Sequence, residues 1–171
     1  MAGIGIVVDK LTRSIEDAKT GQRFETLVER ISPEKSDEIK KTHWLFDWKW
    51  ELAQPEREVY KLVAVHQPKV ILGLLSIEDV GNPIHLHLIE NVKQARGKGK
   101  AYLGVAGNMF AFACKKSYEF GYQGYIAFDA KTALISHYEQ SIGATTLFGK
   151  RMIIRPEVAK LLVLKYFSLE F

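Results

Sequence analysis

Two stretches of this chain combine small residues with positive charge, a pairing suited to holding an anion. The first, Gln94-Ala-Arg96-Gly97-Lys98-Gly99, has two glycines and two cations. The second, Leu103-Gly104-Val105-Ala106-Gly107-Asn108, leads straight into the apolar Met109-Phe110. Amides at a helix start have no intrahelical partner and carry partial positive charge, so they bind phosphates. Small residues let backbone approach such a ligand closely. Lys100-Ala-Tyr102-Leu separates the first stretch from the helix, whereas the second abuts it. Residues 104–108 are therefore favoured as the cradle, although the register between the two stretches stays open. Lys93, Arg96, Lys98 and Lys100, with no acid among them, supply neighbouring charge for a nucleotide or another polyanion. No Gly-x4-Gly-Lys-Ser/Thr occurs, which argues against a P-loop nucleotide triphosphatase.

Other residues invite chemistry and then lose it. His85 and His87 share a strand face at a spacing that can bind zinc, but no third ligand stands nearby, and no metal is expected. Ser136-His137 and Ser117 form no nucleophile elbow, so transfer without a covalent intermediate is the simpler expectation. Cys114, the single cysteine, sits among Phe110, Ala111, Phe112 and Ala113 and reads as a buried, inert thiol.

The elements that must position these residues follow from pattern. Runs at 59–65, 70–77 and 84–89 are β-rich and broken by Gln67-Pro68 and Gly81-Asn82-Pro83, which predicts an antiparallel meander. A helix is expected over 106–120, stopped by Gly121; then a strand over 125–129 and a helix over 131–141. A closing strand over 145–154 and a helix from Pro156 complete the pattern. A helical crossover makes the strands on either side of the first long helix parallel. Nearer the N-terminus, 4–8 suggests a strand. Phe24, Leu27, Val28 and Ile31 have helical spacing, and Phe46, Trp48 and Trp50 alternate as on a strand. The fold class is thus α+β, with a mixed, mainly antiparallel sheet and helices on both faces. With 171 residues, 47% of them apolar, the chain matches one domain over 1–171. No apolar run reaches the ~20 residues of a membrane span, no signal peptide is apparent, and a reducing cytoplasm is the expected compartment.

From residue 59 to 154 these features resemble the GCN5-related N-acetyltransferases. Gly104-x-Ala106-x-x-Met109-Phe110 is similar to the end of that family's Gln/Arg-x-x-Gly-x-Gly/Ala signature and the aliphatic helix start that follows, with Ala101 at the usual Gln/Arg position. Gln94-x-x-Gly97-x-Gly99 matches the signature literally. His137-Tyr138-x-x-x-x-Gly143-Ala144 is similar to the family's second motif, with Lys131 where members often carry Asn. The resemblance implies the acyl-CoA N-acyltransferase fold, with acetyl-CoA as cosubstrate lying in a splay between the two parallel strands. It implies cofactor contacts at Leu103, Gly104, Val105, Ala106, Gly107, Asn108, Lys100, Arg96 and Lys131. Tyr138, with an ordinary pKa near 10, is the candidate acid for the departing thiolate. Glu90, ending an apolar strand, is the candidate base for an acceptor amine of unspecified identity, and homodimerisation is expected by analogy. Two rivals stand: a coenzyme-A-binding module without catalysis, and a nucleic-acid binder using Lys93–Lys100 with a tryptophan stripe.

Overall fold

The computed structural model describes residues 14–96 and 99–167; the expected strand at 4–8 and the pair Gly97-Lys98 lie outside them. In chain order the strands are β1 (Ser14–Asp17), β2 (Arg23–Ile31), β3 (Arg57–Ala64), β4 (Gln67–Asp79), β5 (Ile84–Asn91), β6 (Tyr102–Leu103), β7 (Ile126–Asp129), β8 (Thr145–Phe148) and β9 (Arg151–Ile154). The helices are α1 (Trp48–Ala53), α2 (Val105–Glu119), α3 (Ile135–Ser141) and α4 (Pro156–Phe167). The described strands join in one sheet in the order β6-β1-β2-β3-β4-β5-β7-β9-β8. Every neighbouring pair is antiparallel except β5 with β7. The meander, the helical crossover and the mixed α+β sheet expected from sequence all form.

Both faces of the sheet are covered, which explains the continuous apolar runs in its centre. Leu75 and Ile77 of β4 and Ile84 and Leu86 of β5 pack with α2 and α4. On the opposite face Ile31, Val59 and Leu74 pack with Trp44, Trp48 and Leu52 around α1. α2 is itself sandwiched between the sheet and α4, so Met109, Phe110, Ala111, Ala113 and Cys114 are all buried. Burial pushes the Cys114 thiol well above its ordinary value, which fits an inert group. No helix among the described residues is long and apolar enough to cross a membrane.

Three sequence expectations are corrected. The stretch expected as a helix around Phe24, Leu27, Val28 and Ile31 is strand β2, paired with β3 from Thr26↔Ala64 to Ile31↔Val59. Phe24 and Val28 pack on the α2 side and Ile31 on the α1 side. A strand that contributes to both cores scatters its apolar residues and loses the two-residue alternation. The strand expected at Phe46, Trp48 and Trp50 is instead helix α1. Asp47 caps it by accepting from the Trp50 amide at 3.1 Å, and Trp48, Glu51 and Leu52 are buried at helical spacing. Trp50 is 51% exposed and lies under Arg57, so no tryptophan stripe exists to stack bases. Finally, the closing strand over 145–154 is a hairpin of β8 and β9 turning at Gly149-Lys150, with Gly149 at φ 53°.

Gly107 is needed for packing, since a Cβ there would overlap the Tyr166 hydroxyl of α4. Tyr166 is fully buried, so the overlap has no room to relax. Gly107→Ala is expected to destabilise the fold by about 1–3 kcal/mol, read as a lowered urea midpoint at unchanged slope.

Candidate active site

The site begins with one surplus residue. Against β4, the β5 register moves from Ile77↔Leu86 to Ser76↔Leu88, so His87 is the extra residue of a bulge. β5 pairs with β7 only from Ile84↔Ile126 to Leu86↔Phe128. Beyond Leu86 that edge of β5 has no strand beside it among the described residues, and a cavity of about 190 Å³ opens there. Leu86, His87, Leu88 and Ile89 line one side, and Phe128, Asp129, Ala130 and Lys131 the other. Phe46, Phe110, Leu134 and Tyr138 complete it. An unpaired strand edge offers alternating N–H and C=O groups to an extended ligand that carries amides.

Tyr138 stands in this cavity with its ring edge-on to Phe110 and Phe128, at 5.4 and 5.5 Å between centroids. Burial raises its phenol above the ordinary pKa of 10.0. Its hydroxyl makes no hydrogen bond among the described residues and stays protonated at neutral pH, as a proton donor must. His87 faces the same cavity, with Nε2 2.8 Å from Glu78 Oε1. The Glu78 carboxylate accepts in this contact, so His87 Nε2 is the donor and Nδ1 is the ring nitrogen left for another partner. In the sequence His87 stands out only as half of the His85-x-His87 pair. The bulge that makes it a cavity residue has no local signature.

Glu90 is placed differently from the sequence expectation. It is buried, and its carboxylate accepts from the Leu45 amide at 2.7 Å, the Phe46 amide at 3.2 Å and the Trp48 indole at 2.9 Å. Three fixed donors and Arg96, 3.9 Å away, surround it. A carboxylate so occupied has little left to offer an incoming amine; its work is to tie the 45–48 segment to the sheet.

The two anion stretches differ in kind. The first is an excursion closed by the Ala101 amide donating to the Gln94 carbonyl at 2.6 Å. It returns through β6, where Tyr102 and Leu103 pair with Asp17 and Glu16 of β1. The second is the start of α2. Gly104 is its N-cap with φ 93°, a left-handed conformation costly for any other residue. Asn108 braces that turn: its amide and its Nδ2 both donate to the Gly104 carbonyl, at 3.1 and 2.6 Å. No side chain among the described residues caps the helix start. The amides of Val105, Ala106 and Gly107 have no partner among the described residues. Phe110, which lines the cavity, is six residues along, so the helix start lies roughly 9 Å from it along the axis. Of the expected cations, Lys131 holds its ammonium 5.9 Å over the Phe46 ring at the cavity, and Lys100 precedes β6. Arg96 turns toward Glu90 and the Trp44-Leu45 segment.

A bulged strand, a parallel pair that parts beyond it and a helix starting at a glycine turn define the acyl-CoA N-acyltransferase fold. Solved structures agree at the level of fold. AtaTR bound with acetyl-CoA superposes with a TM-score of 0.57 at 12% identity, covering 80% of this chain and 97% of that one. The KacTA–DNA complex gives 0.53 at 14%, covering 81% and 98%. A Bacillus anthracis protein assigned as a streptothricin acetyltransferase, in complex with acetyl coenzyme A, gives 0.50 at 12%, covering 76% and 95%. No protein-family model and no curated protein matches the chain.

The strand face beside the cavity also carries a pH-sensitive group. The His85 ring lies 4.4 Å from that of His87. Burial, then the charges of His87 and Arg151, hold His85 below its ordinary pKa of 6.5, against weaker pulls from Asp129 and Glu78. The unfolded chain therefore takes up this proton first as pH falls. The stability His85 contributes is complete above about 6.5 and is lost as pH drops toward the lower folded value. In His85→Gln, urea midpoints at about pH 7.5 and about pH 5.5 are expected to differ less than in the wild type.

Proposed function

We propose that this chain is an acetyl-CoA-dependent N-acetyltransferase that passes the acetyl group directly to an amine. The observation that carries this reading is the open β5 edge past His87, which meets the Tyr138 cavity one and a half turns from the uncapped start of α2. The amides of Val105, Ala106 and Gly107 hold the diphosphate, with Leu103 and Gly104 shaping the turn and Asn108 bracing it. Lys100 adds charge nearby. Lys131 and the strand edge flank the pantetheine chain.

At the reacting centre the amine nitrogen bonds to the acetyl carbon as the carbon–sulfur bond breaks. Tyr138 gives its hydroxyl proton to the leaving sulfur. His87, steadied by Glu78, takes the proton released by the amine, and solvent then restores both groups. Holding two reactants together supplies much of the acceleration. Glu90 acts as a positioning residue that fixes the wall carrying Phe46.

Acetyl-CoA is expected to raise the melting temperature, and an amine panel to release thiol from it. Stabilisation without release under any amine would favour the non-catalytic coenzyme-A module; no stabilisation would defeat both. Tyr138→Phe is expected to keep acetyl-CoA affinity while kcat falls about 100-fold. His87→Gln is expected to lose a similar factor near neutral pH and recover part of it at high pH, where the amine is already neutral. Wild-type kinetics in both variants would remove these two residues from the mechanism.

A further inference from the structure

We propose that the acceptor amine also carries an anionic group, a carboxylate or a phosphate, seated in a second cavity beside the first. This inference deepens the acetyl-transfer reading and rests on it. The cavity, of about 440 Å³, lies between the 42–45 segment and the 92–96 turn that follows β5. Its polar lining is Thr42, His43, Lys93, Gln94 and Arg96, and no described Asp or Glu lines it. Arg96 is the telling residue. Its Nε is buried and has no acceptor among the described residues. The nearest carboxylate, Glu90, approaches only Nη1, at 3.9 Å, and is already engaged by Leu45, Phe46 and Trp48. A guanidinium binds carboxylate and phosphate oxygens through paired N–H groups, and the part of the Arg96 side chain that stays accessible, 30%, lines this open cavity beside Lys93.

Position makes this cavity part of the acceptor's path. Leu45 lines it and the next residue, Phe46, lines the Tyr138 cavity. Along the sheet the two are separated by the distance from Ile89 to Val92, about 10 Å of extended chain. Charge then sets the direction of binding. Lys93 and Arg96 repel the ammonium end of an amino acid or amino phosphate and attract its anionic end, so the amine is turned toward Tyr138.

The test compares hexylamine, 6-aminohexanoate and 6-aminohexyl phosphate, matched in length, at saturating acetyl-CoA with the full chain. The expected result is a kcat/KM for at least one anionic amine about tenfold or more above that for hexylamine. Which of the two leads identifies the anion. In Arg96→Gln this ratio is expected to fall toward one, and because it is a ratio, any general loss of turnover cancels. Equal rates for all three amines, or a preference that Arg96→Gln leaves intact, would overturn the inference. Calorimetric titration of the same three compounds reads the site without catalysis. Anion-dependent binding that Arg96→Gln abolishes supports it, and equal or absent binding of all three refutes it. Thiol release from acetyl-CoA across the wider amine panel, measured separately, decides the underlying transferase reading.

Discussion

β5 carries one residue more than the stretch of β4 opposite it, and the site follows from that surplus. Side chains alternate faces along a strand, so one extra residue reverses the faces of everything after it. Leu86 points toward α2, whereas Leu88, past His87, packs on the α1 side. Glu90 accordingly reaches Leu45, Phe46 and Trp48 on the α1 side. In an unbroken strand the same carboxylate would be driven into the apolar layer under α2, a costly place for a charge. The bulge also ends pairing with β7 after Leu86. One irregularity thus opens the cavity, sets His87 beside it and anchors the segment that walls it.

That anchoring is polar on a mostly apolar foundation. Beyond Glu90, the buried Glu51 of α1 accepts from Arg57 Nη1 at 2.7 and 2.9 Å and from the Ser76 hydroxyl at 2.8 Å, fixing α1 to β3 and β4. A short helix buries too little apolar surface to hold its place by area alone, and directed bonds select one seating. Two carboxylates at the two ends of the 45–51 stretch therefore set where Phe46 and Trp44 stand against the cavities.

How much of this was legible in the residues depended on how local its cause was. β3, β4 and β5 announced themselves because helices cover both faces and the runs are continuously apolar. Gly104 was legible because a left-handed turn at a helix start selects glycine. β2 departs from its helical spacing because its residues serve two cores, and α1 from its strand-like alternation because a helix of only six residues shows too little of its own period. Neither the placement of Glu90 nor the cavity face of His87 was visible. Both depend on a register shift against β4, and register belongs to a pair of strands. Tyr138 was found through its motif, but its edge-on seat between Phe110 and Phe128 is a product of the crossover bringing α2 and β7 together.

The position of α2 between the sheet and α4 has a consequence for biosynthesis. The turn at Gly104 starts α2, and the helix behind it is closed on its outer side by Leu162, Val163 and Tyr166. While the ribosome has not yet released residues 156–167, that side of α2 stays wet and apolar, and the turn at Gly104 caps a helix without its full support. A nascent chain holding the whole strand meander thus still lacks the outer cover of its central helix, and in that interval it presents sticky apolar surface to chaperones.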